Sequence, residues 1–191
     1  MGAVPNGSDS KEGETMQRAA RWTVVAIAAV GLAAPVTAQE SGRGTFINAQ
    51  GKSVGSLTVN HMASGTMLLL TLHDLPPGVH GLHIHSVGKC TPPTFDSAGP
   101  HWNPAGHQHG KDNPQGKHAG DLDNLTIPAD GKLEIQIVLQ GTALRGPGGL
   151  LDEDGASLVI HAGPDDYKTD PTGNSGARIA CAPIAIADRE E

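Results

Sequence analysis

Outside residues 22–32, no apolar i, i+3, i+4 pattern in this chain runs past ten residues. Amphipathic helices are therefore not available to build its core. Short alternating or β-branched runs recur instead. They predict eight strands, over 44–48, 54–60, 66–72, 81–85, 124–127, 133–139, 157–161 and 178–186. Turn signals separate most of them, among them Ala49-Gln50-Gly51-Lys52 and Pro128-Ala129-Asp130-Gly131. The 26 glycines and 14 prolines suit such punctuation. The fold class expected is all-β, an eight-stranded antiparallel sandwich or barrel. Two segments, 87–123 and 162–177, break the spacing and hold few apolar residues. Long loops in a compact domain are functional or disordered.

The first 38 residues read as a removable leader. Met16-Gln17-Arg18-Ala19-Ala20-Arg21 is a basic start, 22–32 an Ala/Val-rich apolar run, and Val36-Thr37-Ala38 a small-residue cleavage site before Gln39. Met16 is an alternative start. The run is short for a membrane span and is followed by Pro35, so no stable membrane insertion is expected after its removal. No cysteine stands near the cleavage site to carry a lipid. The destination expected is the periplasm or the exterior, and 39–191 is one domain.

That domain carries 10 Lys and Arg against 17 Asp and Glu, the same −7 as the whole chain. An acidic surface argues against nucleic acid or anionic membrane as a partner. Cys90 and Cys181 are the two cysteines. In an oxidising compartment they are expected to form one disulfide; the alternative is two free thiols.

Histidine carries the chemistry. His83-Ile84-His85 lies on a predicted strand, where i and i+2 project from the same face. His101, His109, His118 and Asp121 follow in the long loop, three histidines and a carboxylate as zinc prefers. His161 ends the strand 157–161. Six imidazoles and one carboxylate suffice for two adjacent metal ions if one imidazole is shared. Each piece alone has an ordinary reading: exposed strand histidines, a polar solvated loop, a strand-end histidine bonded to backbone.

Taken in order, Gly81-Leu82-His83-Ile84-His85, Ser97-Ala98-Gly99-Pro100-His101-Trp102-Asn103-Pro104, His109-Gly110, His118-Ala119-Gly120-Asp121-Leu122, Leu158-Val159-Ile160-His161 and Gly173-Asn174-Ser175-Gly176-Ala177-Arg178-Ile179-Ala180-Cys181 resemble the successive signatures of the copper/zinc superoxide dismutases. The resemblance spans roughly 44–186 and is closest to the exported bacterial branch. It implies a Greek-key sandwich. It implies copper on His83, His85, His101 and His161, and zinc on His101, His109, His118 and Asp121. Asp165 matches the carboxylate linking ligand rings of the two sites, Arg178 the arginine beside the open copper position, and Cys90 and Cys181 the family disulfide. His80 matches a structural histidine, while His61 and His73 read as surface residues. His107 could compete with His109 for zinc.

The implied activity is disproportionation of superoxide anion to O₂ and hydrogen peroxide, an antioxidant defence outside the cytoplasm. His101 is the implied proton relay, and Arg178 docks the anion. Lys89 and Lys168 are candidate steering charges or simply solvated lysines. The chain departs from the family in its long 91–100 subloop, its short 162–177 loop and Trp102, read as a loop anchor. A non-catalytic copper-delivery domain and a copper-only dismutase are the alternatives, and both a monomer and a homodimer stay open.

Overall fold

The structure, a computed structural model, describes Met1 and residues 41–186. The leader expected over 1–38 lies, Met1 apart, outside the described residues. Nine strands form: β1 (Ser41–Asn48), β2 (Ser53–Met62), β3 (Gly65–Leu72), β4 (Gly78–His80), β5 (Leu82–His85), β6 (Leu125–Ile127), β7 (Leu133–Gln140), β8 (Ala156–His161) and β9 (Arg178–Ile186). Seven make one sheet in the order β5-β8-β9-β1-β2-β3-β7, and β4 pairs with β6. Every pairing between strands is antiparallel. The path from β3 through β4–β6 to β7, and from β7 to β8, crosses between the ends, as a Greek key does. Among the described residues no helix is long and apolar enough to cross a membrane.

Period-two patterning sets the register. Leu57 faces Leu70 and Val59 faces Leu68. On the next ladder Leu68 faces Ile137 and Leu70 faces Ile135. Leu57, Val59, Leu68 and Leu70 are buried with Phe46, Leu82, Ile84, Leu158 and Ile160 in the main core. Each fully buried side chain of this size contributes about 1.5–3 kcal/mol. A one-residue slip would turn a strand's whole apolar set to water, so a single register wins.

The expected strand at 81–85 is divided. Gly81 leaves the β4–β6 pair and joins β8, donating its N–H to Gly163 O (2.8 Å) and accepting from His161 N (2.9 Å). A Cβ at Gly81 would stand 2.9 Å from the Ser175 Cβ, so the switch between sheets needs glycine.

Both faces of β5 and β8 are buried. Leu82, Ile84, Leu158 and Ile160 enter the main core. The opposite face of β8 lies beneath the long loop, where Phe95 and Ala98 pack with Val159 and Cys181. Backbone bonds from the loop also cover the free edge of β5: Trp102 N to Ile84 O (2.8 Å), Ile84 N to Gly120 O (2.9 Å) and Leu122 N to Leu82 O (3.2 Å). An unpaired edge is thereby converted into a seat for the loop.

Candidate metal centre

Strand alternation does the first work. With Leu82 and Ile84 in the core, His83 and His85 project under the loop. Isolated bridges set His83 beside Asp121 and His85 beside His101. The β8–β9 ladder places Arg178 opposite His161, with a bulge just before it. Residues far apart in sequence thus converge because β5, β8 and β9 are neighbours and the loop docks on the β5 edge.

All seven sequence-identified ligand candidates meet there, none more than 6% exposed. Donor nitrogens of His83, His85, His101 and His161 lie within 4.8 Å of one another. His83 Nδ1, His85 Nε2, His101 Nε2 and His161 Nε2 are buried with no hydrogen-bond partner. Four orphaned nitrogens in one place are costly unless they serve an ion.

The second set surrounds Asp121. Its Oδ1 stands 2.9 Å from His101 Nδ1, 3.0 Å from His109 Nδ1 and 3.1 Å from His118 Nδ1. The His109 contact lacks hydrogen-bond geometry, and that nitrogen is otherwise unpartnered. Tetrahedral zinc bonds of roughly 2.0–2.1 Å would hold donors about 3.3 Å apart, so this quartet fits zinc. Proximity of donor atoms alone groups His83, rather than His118, with His101, His109 and Asp121. His83 Nε2 is bonded to Asp165, however, and its orphaned Nδ1 serves the first quartet. His101 is the one ring facing both sets, Nδ1 to one and Nε2 to the other.

Asp165 joins the two sides. Its Oδ2 accepts from His83 Nε2 at 2.7 Å, and its two oxygens lie 3.0 and 3.1 Å from His109 Nε2. Such carboxylates fix ring orientation and raise ligand basicity. Asn124, absent from the sequence-based set, clamps Asp165: its Oδ1 accepts Asp165 N (2.8 Å) and its Nδ2 donates to Asp165 O (3.0 Å). Two backbone carbonyls also orient rings, Gly99 O for His85 Nδ1 (2.8 Å) and Gly176 O for His161 Nδ1 (3.1 Å). Nothing in side-chain chemistry advertises a carbonyl.

The electrostatics follow from burial and pairing. Burial pushes the His85 imidazole down to about 2 and His161 to about 3. It takes His101 down to about 4, against the lift of Asp121. Burial opposes protonation of His109 too, but Asp121 and Asp165 outweigh it and raise that ring to about 9. Burial would raise Asp121 and Asp165; their histidine contacts win and hold both carboxyls well below the ordinary range.

Arg178 donates from one guanidinium nitrogen to Phe95 O (2.7 Å) and from the other to Gly99 O (2.9 Å). It lines an open cavity of about 850 Å³ with His101, His118 and Thr172. Neither Lys89 nor Lys168 lines that cavity. His80 binds His161 O (2.8 Å) and Pro76 O (2.9 Å), as a structural histidine would. His107 bonds to Lys117 O (3.0 Å) outside the cluster, while His73 is exposed beside Asp74. Trp102 is 7% exposed against the main core, an anchor as expected. Cys90 and Cys181 form a disulfide.

Residues 41–184 match the family described as copper/zinc superoxide dismutase (SODC). A superoxide dismutase [Cu-Zn] of Aquifex aeolicus is 43% identical over 142 residues, covering 73% of this chain and 83% of that protein. The superoxide dismutase [Cu-Zn] of Caulobacter vibrioides is 45% identical over 138 residues, 70% of this chain and 79% of the relative. The crystal structure of a superoxide dismutase-like protein from Bacillus subtilis superposes with a TM-score of 0.71 at 40% identity, covering 73% of this chain and 95% of that one.

Proposed function

The chain belongs to the copper/zinc superoxide dismutase family, and from that premise we propose that His83, His85, His101 and His161 hold copper, that His101, His109, His118 and Asp121 hold zinc, and that the enzyme works outside the cytoplasm. The family is one of oxidoreductases that use copper and zinc, with superoxide as substrate. The observation that carries the assignment is the group of four buried ring nitrogens without partners. Copper, when bound, supplies the one-electron cycling by which two superoxide anions and two protons become O₂ and hydrogen peroxide.

The rest is done by the chain. His85 and His161 are kept neutral by burial and aimed by the Gly99 and Gly176 carbonyls, so each presents a lone pair. His101 keeps Nδ1 toward Asp121, so Nε2 is the nitrogen that would hold copper and, whenever the metal does not occupy it, could carry a proton for the product. Arg178 is pinned by two carbonyls, so its charge is fixed where a small anion enters. Asp165 holds the rings of His83 and His109 in step, coupling the zinc-side geometry to the copper side. Export is supported by the disulfide, a bond that persists in oxidising compartments. The domain reading is a leader over 1–38 and one catalytic domain over 39–191.

Elemental analysis paired with a superoxide-scavenging assay tests the assignment. The loaded protein is expected to retain one copper and one zinc and to turn over. His161→Ala should abolish turnover while zinc stays bound. Retention of a single ion would overturn the two-metal assignment, and copper bound without turnover would favour a copper-delivery domain.

A further inference from the structure

The cavity that reaches His101 and Arg178 has an unexpected charge. Its lining carries three carboxylates, Asp96, Asp152 and Asp170, and among the described residues Arg178 is its one permanent cation. The whole chain is at −7 as well. Asp170 Oδ1 accepts the His109 N–H at 2.6 Å across 61 positions, whereas Asp152 Oδ1 accepts only the nearby Asp154 N–H at 3.2 Å. Asp96 is distinguished by its place beside the arginine. It is exposed and follows Phe95, whose carbonyl takes one arm of Arg178. Its carboxylate accepts only a local bond from the Thr94 hydroxyl (2.7 Å). It lines this cavity and also the neighbouring one on the other flank of the same arginine. Arg178 gives one N–H of each terminal nitrogen to a carbonyl, and no ion pair joins it to Asp96 among the described residues. Both charges therefore project their fields into the same opening, with opposite sign.

We propose that Asp96 is a specificity-determining residue that weakens anion capture at this site: its carboxylate offsets the field of Arg178 where a small anion must dock. The inference rests on the proposed function, taking the anion that docks at Arg178 to enter through this cavity, which Arg178 and His101 both line. A unit charge within roughly one Debye length, ~8–10 Å, still acts through water at moderate salt. Removing it should strengthen anion attraction by about two- to fivefold at low ionic strength. The shape of the subloop should survive. Phe95 and Ala98 anchor it, and asparagine keeps an acceptor oxygen for Thr94.

The test uses the copper- and zinc-loaded enzyme with Asp96→Asn, Asp96→Glu and Arg178→Ala variants. Two quantities are read: the rate of superoxide removal across ionic strength, and the affinity for azide, followed by the absorption of the bound copper. For Asp96→Asn the rate at low salt should rise about two- to fivefold and the azide Kd should fall by a similar factor, both gains vanishing at high salt. Asp96→Glu, which keeps the charge, should behave as the parent. An unchanged rate and azide Kd in Asp96→Asn, with both altered in Arg178→Ala, would overturn the proposal and leave the entrance reading standing. If Arg178→Ala is silent too, neither charge faces the anion and the entrance reading itself fails. An equal gain in Asp96→Glu would assign the effect to loop shape and also overturn the proposal.

Discussion

His85, His101 and His161 are imidazoles that burial keeps neutral, at about 2, 4 and 3 against an ordinary 6.5. A neutral ring has a lone pair to give a metal, so the same burial that would be a liability prepares the ligands. It also links folding to pH. Each of these rings binds a proton more readily in the unfolded chain, so as pH falls below 6.5 the unfolded state gains protons first. Stability then drops toward the folded values. Asp121 and Asp165, held low by their histidine partners, add stability above the ordinary carboxylate range and lose it as pH falls further. His109 has the opposite sign. Raised to about 9, it contributes in full below 6.5 and ceases to contribute as pH rises through 9. Three rings outweigh one on the acid side. In protein stripped of metal by a chelator, the urea midpoint should be highest at about pH 7, fall steadily toward about pH 5 and decline again toward about pH 9. A profile flat over that span would mean these rings are not buried neutral in the folded chain.

At the scale of elements, the loop that bears four of the ligand candidates is seated on β5 through backbone contact. Gly120 is the tightest point: a Cβ there would stand 2.4 Å from Ile84 O and 3.1 Å from Trp102 N. Gly120→Ala must therefore push the 120–122 segment off the strand. This should break the Ile84 N–H bond to Gly120 O and move Asp121 with it. A loss of about 1–3 kcal/mol in stability is expected, with zinc affinity down about tenfold or more. Denaturation and zinc competition with a chelating dye measure the two. Stability lost with zinc affinity intact would show that Asp121 is positioned from elsewhere.

The same element explains what was legible in the sequence. His83 and His85 could be placed on one face from alternation alone, and their partners from ordered motifs, because side chains carry that information. Asn124 could not, since its duty is a pair of bonds to the backbone of Asp165 across 41 positions. The carbonyls of Gly99 and Gly176 leave no signature at all. The division at Gly81 was hidden because the run 81–85 has strand character on either partner, and only three-dimensional crowding at Ser175 marks the switch. Lys89 and Lys168 show that sequence gives charge without direction: both are cations, and neither lines the cavity beside Arg178.

Across the whole molecule, the disulfide links the loop to the strand that carries the arginine. Cys90 and Cys181 are 91 positions apart, and in the chain-entropy model closing so long a loop contributes ~4–5 kcal/mol. Position matters as much as length. Cys181 stands three residues after Arg178 on β9, and Cys90 opens the 91–100 subloop whose Phe95 and Gly99 carbonyls grip that arginine. Phe95 and Ala98 pack against Cys181 and Val159 in one small cluster, so bond, cluster and guanidinium clamp hold the same ten-residue piece. Two outcomes follow for a Cys90→Ala, Cys181→Ala variant. Stability should fall by about 2–5 kcal/mol. Turnover per bound copper should fall as well, because freeing the subloop loosens Arg178 although no metal ligand has changed. Urea denaturation and copper-normalised activity separate the two effects. A variant less stable but fully active per copper would leave the cross-link as a staple alone. One of unchanged stability would mean that the apolar cluster and the loop's seat on β5 suffice to hold the subloop.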